Sequence, residues 1–201
     1  MKKSLVLAAV ILSGALAGNA QLVTYTFEGD VNTPASVDGD VSATALSLNT
    51  GTIGYSTGAG GGRAIVGTSW QGDPGDKYWE FTVTPQAGLA LELFSLSFDY
   101  RSTGTGPSDW AITINGQAAG SGSMLRDSTF HPAELDLSGF SGLSSAQVRL
   151  TGSGGTSSAG NWRLDNMVLD GMTLTVVPEP STWALLGGGL AFLAYRMRRR
   201  K

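Results

Sequence analysis

The stretch Leu89-Ala90-Leu91-Glu92-Leu93-Phe94-Ser95-Leu96-Ser97-Phe98-Asp99-Tyr100 carries the pattern that decides the fold. Leu89, Leu91 and Leu93 share one parity, whereas Phe94, Leu96, Phe98 and Tyr100 share the other. Alternate side chains of a strand point to opposite faces, so two apolar runs of opposite parity do not fit one regular strand. The shift predicts a bulge near Leu93-Phe94 that re-aims the side chains and bends the chain, as where a strand passes from one sheet to another in a sandwich.

The flanking segments have the same period of two. Trp110, Ile112 and Ile114 alternate with Ala111, Thr113 and Asn115; Val148 and Leu150 flank Arg149; Trp162 and Leu164 alternate with Arg163 and Asp165. Each reads as an antiparallel strand with one wet face. Tyr78, Trp79, Phe81 and Val83 form another strand, closed by Pro85. Glycine-rich stretches at Gly58 to Gly62, Gly104 to Pro107, Gly120 to Gly122 and Gly152 to Gly160 separate these segments as turns. The run from Thr57 to Arg63, TGAGGGR, lacks the Gly-Lys-Ser/Thr that a phosphate loop requires. Residues 21–177 show no amphipathic helical period, and roughly ten short strands with turns between them predict an all-β fold, an antiparallel β-sandwich of jelly-roll type.

Composition bounds the chemistry. The chain has 201 residues, 13 Lys or Arg, 16 Asp or Glu, one His, no Cys and 29 Gly. Thiol catalysis, disulfides and Cys-based zinc sites are therefore excluded. The net charge of −3 averages three unlike regions. Residues 1–20 hold two Lys and no acid; residues 21–177 hold six basic and fifteen acidic residues; residues 178–201 hold five basic residues and one Glu. A strongly acidic middle argues against nucleic acid as a partner. Basic, apolar ends around it are the pattern of an exported chain, because positive flanks stay on the cytoplasmic side of a membrane.

The N-terminal end reads as a signal peptide handled by the export machinery. Met1 to Lys3 is basic and Leu5 to Leu12 is apolar; eight helical residues reach roughly 12 Å, far short of a hydrocarbon core of roughly 30 Å. Small side chains then allow cleavage after Ala20, with Ala15-Leu16-Ala17 as the alternative site. At the other end, Pro178-Glu179-Pro180 precedes an apolar stretch, Ser181 to Tyr195, and then Arg196, Met197, Arg198, Arg199, Arg200 and Lys201. Fifteen helical residues extend roughly 22 Å, enough to enter a bilayer as a short transmembrane helix. Trp183 and Tyr195 sit where interfacial rings belong, and the terminal arginines can snorkel to the headgroups and hold the cytoplasmic side. The two prolines bar any helix from running through them and form a stiff spacer before the span.

This tripartite tail resembles the PEP-CTERM proteins of Gram-negative bacteria. The resemblance covers the last 24 residues and implies sorting by an exosortase, an integral-membrane processing enzyme. It makes Pro178, Glu179 and Pro180 the recognition element and Arg196, Arg198, Arg199 and Arg200 the stop signal. It also implies an inner-membrane-anchored precursor that reaches the cell surface or extracellular matrix. A plain single-pass anchor with a proline stalk would share this topology and differ in fate. The expected organisation is thus signal peptide 1–20, sandwich 21–177 and sorting signal 178–201. The segments Tyr25 to Gly29 and Trp162 to Leu169 also resemble the first and last strands of jelly-roll modules in PEP-CTERM proteins and of carbohydrate-binding modules.

Within the sandwich, catalysis has little to rest on. His131, beside Pro132, is the only imidazole and reads as a solvated loop residue; no spacing selects a carboxylate pair for glycoside hydrolysis. A non-catalytic surface component, with extracellular polysaccharide as the leading ligand, is therefore expected, and a secreted carbohydrate-active enzyme is the alternative. Trp70, in the turn-rich loop TSWQGDPGD, is the candidate for stacking on a sugar ring, whereas Trp110 and Trp162 head alternating strands and read as core. Jelly-roll binding modules often tie their first and last strands with a structural Ca2+, a hard cation that takes oxygen ligands. Glu28, Asp30 and Asp165 are the acids in matching positions, and Ca2+ is the cofactor they bring into consideration.

Overall fold

The computed structural model describes residues 20–71, 77–127 and 129–176. Residues 1–19 of the proposed signal peptide and the whole of 178–201, including Pro178, Glu179, Pro180 and the arginine tail, lie outside the described residues. Among those described, no helix is long and apolar enough to cross a membrane. Thirteen strands carry the fold among the described residues: β1 (Ala20–Tyr25), β2 (Ser36–Val37), β3 (Val41–Ala43), β4 (Ser47–Leu48), β5 (Ile53–Thr57), β6 (Arg63–Gly67), β7 (Tyr78–Pro85), β8 (Leu89–Ser102), β9 (Asp109–Ile114), β10 (Gln117–Ser123), β11 (His131–Asp136), β12 (Ala146–Ser153) and β13 (Trp162–Thr175).

They form two antiparallel sheets, the sandwich that the alternating pattern predicts. The first runs β11-β8-β13-β1-β2, with β6 also on β13 and β5 beyond it. The second runs β10-β9-β12-β7-β3, with β4 also on β7. First and last strands are direct neighbours, paired from Ala20 opposite Gly171 to Tyr25 opposite Met167. Between the sheets lie Tyr25, Leu91, Leu93, Leu96, Phe98 and Leu164 from one side and Trp79, Phe81, Ile112, Ile114, Val148 and Leu150 from the other, all buried. Each such side chain contributes roughly 1.5–3 kcal/mol on burial. Edge-on ring contacts lock the layers together: Tyr25 on Phe81 at 5.2 Å and Phe98 on Trp110 at 5.7 Å.

The bulge in the Leu89 to Tyr100 stretch falls at Phe94. Ser95 pairs with Asp170 and Leu93 with Gly171, so Phe94 has no partner opposite it. One extra residue brings Leu91 and Leu93 onto the same inner face as Leu96 and Phe98. The expected passage between sheets does not occur: β8 keeps β13 as its neighbour from Leu89 opposite Thr175 to Ser102 opposite Trp162. The bulge corrects phase within one sheet, and Gly171 admits the close approach, since a Cβ there would stand 2.5 Å from the Glu92 carbonyl oxygen.

Two further details set the turns. Asn115 and Gly116 adopt φ of +52° and +79°, the two-residue turn that matches the right-handed twist of β9 and β10. His131, expected in a loop, opens β11 opposite Tyr100. Its Nε2 lies 2.9 Å from Asp127 Oδ2 and its ring 5.7 Å from that of Tyr100.

Candidate functional site

The bulge that repairs the core also builds a feature on the outer face of the first sheet. Because Phe94 is the extra residue, its ring has no place in the core; it lines an open, shallow hollow of about 490 Å³ with Ser95, Glu134 and Asp136. Glu134 and Asp136 alternate along β11 with the inward residues Ala133 and Leu135, which places both carboxylates on that same outer face. Ser95 Oγ donates to Asp170 Oδ2 at 3.3 Å. Asp136 accepts the backbone N–H of Ser138 at 2.8 Å, and this hydrogen bond holds its carboxyl below the ordinary carboxylate range. An aromatic ring beside fixed carboxylate acceptors offers an apolar platform and partners for hydroxyl groups. The phase shift of β8 is readable in the sequence, but that Phe94 is the displaced residue depends on pairing with β13, and that the acids of β11 face outward beside it depends on pairing with β8.

Trp70 does not occupy such a site. It is only 3% exposed, its ring meets that of Trp162 edge-on at 4.9 Å, and its Nε1 donates to the Gly67 carbonyl at 2.8 Å. This corrects the expectation of an exposed stacking residue. Two glycines far along the chain admit Trp70: a Cβ at Gly152 would touch the Trp70 ring at 3.0 Å, and one at Gly155 would overlap the Trp70 backbone carbonyl. Lys77 covers it from one side, 5.2 Å from the ring centre, while its ammonium donates to the Thr68 carbonyl. Trp110 and Trp162 are core residues, as expected.

The three acids expected at a calcium site do meet one loop, in another way. Asp165 Oδ2 accepts the Ala59 N–H at 2.8 Å, and Glu28 Oε1 accepts the Arg63 N–H at 2.9 Å. Asp30 pairs with the Arg63 guanidinium at 2.5 Å. Each acid is thus turned onto a donor from residues 59–63, and among the described residues no group of three or more His, Asp or Glu is arranged to hold a metal ion. First and last strands are joined here by peptide N–H groups and one arginine. Gly58 and Gly62 make room for it, because a Cβ at either would collide with the Asp165 or the Glu28 carboxylate. Burial raises the Asp165 carboxyl above its ordinary range, the charges of Asp99 and Glu28 add to the rise, and the Ala59 and Asn166 N–H groups oppose it.

Comparison with known proteins bears on the two halves of the chain separately. Residues 176–200 match the model of the PEP-CTERM protein-sorting motif. The chain carries a PEP-CTERM sorting signal. A protein with this motif is exported as a precursor that passes a membrane. No curated protein matches the chain. Among solved structures, the chain is similar to a family 29 carbohydrate binding module complexed with mannohexaose, at 15% identity and a TM-score of 0.46 over 77% of this chain and 93% of that one. It is also similar to a cleaved adhesin domain of Lys-gingipain from Porphyromonas gingivalis, at 14% identity and a TM-score of 0.45 over 76% of this chain and 99% of that one. These likenesses are of fold alone.

Proposed function

We propose that this is a surface or extracellular-matrix protein of a Gram-negative bacterium, sorted through its tail by an exosortase, whose sandwich binds glycan without catalysis. The sorting half rests on the motif at 176–200. The binding half is carried by one observation: Phe94, displaced from the core, lines an open hollow with Ser95, Glu134 and Asp136. The ring supplies a platform for the apolar face of a pyranose, and the carboxylates and hydroxyl hold its hydroxyl groups. The hollow is shallow and open to solvent, which suits retention of a polymer more than exclusion of water from a reacting bond.

Affinity electrophoresis of the full chain in detergent through gels containing glucomannan, together with a reducing-sugar assay on the same polymer, tests the binding half. Retardation without release of reducing ends is expected, and Phe94→Ala should weaken it roughly tenfold, the effect of losing one stacking platform. Turnover of the polymer would favour a secreted carbohydrate-active enzyme instead.

A further inference from the structure

The outer face of the first sheet carries a second feature at the end away from Phe94. Arg101 of β8 and Arg163 of β13 are directly opposite in the antiparallel register. Cross-strand neighbours have Cβ atoms roughly 4.5–5.5 Å apart, and like charges placed so repel. Both residues are half-buried, and neither guanidinium has an ion-pair or hydrogen-bond partner among the described residues. The Nε atom of each is shielded from solvent with no acceptor. Burial and the Arg101 charge push the Arg163 guanidinium below its ordinary range.

The acids nearest in register already have other partners. Asp99 and Asp165 form the next row, opposite each other. Asp99 accepts from Asn166 Nδ2 at 2.8 Å, and Asp165 accepts from the Ala59 and Asn166 backbone. Two unpaired cations held side by side on a sheet are a ready seat for a planar anion, because two guanidinium forks can meet both oxygens of a carboxylate. Phe130, just before β11 and of the same parity as Pro132, continues this row beyond Arg101.

We propose that Arg101 and Arg163 form an anion-recognition subsite for an isolated uronate carboxylate on an otherwise neutral glycan. The rest of the face sets the limit on charge density. Asp99, Glu134, Asp136 and Asp170 all lie on it, so a polymer charged at every sugar would be repelled along most of its contact. A ligand with one carboxylate per several sugars places its charge on the arginine pair and its hydroxyls over the acids. The inference rests on the glycan-binding reading and specifies its ligand class.

The test is affinity electrophoresis of the full chain in detergent against three polymers: gellan, with one uronate per tetrasaccharide repeat; polygalacturonate, charged at every sugar; and neutral glucomannan. Gellan should retard the protein at least tenfold more strongly than polygalacturonate does. Arg101→Gln/Arg163→Gln should remove that preference. Arg149→Gln, which deletes a positive charge on the other sheet, should keep it, and the lysine pair Arg101→Lys/Arg163→Lys should keep part of it. An unchanged near-UV circular dichroism spectrum identifies a folded double variant. Gellan binding that survives the double substitution overturns the subsite, as does equal retention on polygalacturonate. Retention on glucomannan with none on gellan removes this inference and leaves the glycan-binding reading in place; retention on none of the three polymers removes both.

Discussion

Trp70 and Asp165 illustrate how little of a side chain's surroundings its neighbours in sequence report. Turn residues flank Trp70, yet Gly152 and Gly155, some eighty positions later, form the surface on which its backbone and ring rest. Trp70→Ala should therefore cost about 3–5 kcal/mol of stability in denaturant unfolding and leave glycan retention per folded molecule unchanged. Gly155→Ala should cost about 1–3 kcal/mol, because backbone must move to admit the methyl group. Asp165 makes a pH-dependent contribution whose sign follows from its raised carboxyl. The folded state holds this proton more tightly than the unfolded chain, so the contribution favours folding at low pH. It is lost as pH rises from the ordinary carboxylate range through the raised value. Asp165→Asn abolishes that loss. The melting temperature of the variant minus that of the parent should therefore increase with pH across this interval.

At the level of elements, the joined pair β8 and β13 organises the molecule. The opposite parities of Leu91 and Phe98 were legible in the chain and required an irregularity, and Phe94 is the residue left over. What the pattern could not convey is whether the bend exchanges sheets or stays within one, because that depends on what β13 offers opposite; Gly171 lets the strands remain together. Deleting Phe94 leaves Leu91-Glu92-Leu93-Ser95-Leu96-Ser97-Phe98, a plain alternation that keeps every apolar residue on the inner face with no bulge. The deletion variant should therefore keep its cooperative thermal transition, as should Phe94→Ala, and both should melt within a few degrees of the parent. The site on β11 was hidden for a related reason. Glu134 and Asp136 looked like any surface acids until pairing with β8 set them beside Phe94.

On the scale of the whole molecule, destination and binding are separate properties of separate segments. The motif at 176–200 is a linear signal that begins directly after β13, whose final residue is Thr175. Processing at the motif would leave the sandwich intact. Mass spectrometry of protein recovered from the cell exterior should find a form lacking Arg196 to Lys201; a surface form that retains Arg200 would instead be a simple anchored protein. The sequence by itself determined the sorting signal, the all-β class and the acidic body, because each is a property of residue order or composition that survives without folding. Tertiary structure alone decided that Trp70 is core, that Glu28, Asp30 and Asp165 grip a loop, and that Phe94 meets Glu134 and Asp136. Those outcomes depend on contacts between residues 33 to 106 positions apart, such as Asp30 with Arg63 and Asp165 with Ala59. Such contacts exist only once strand register is fixed.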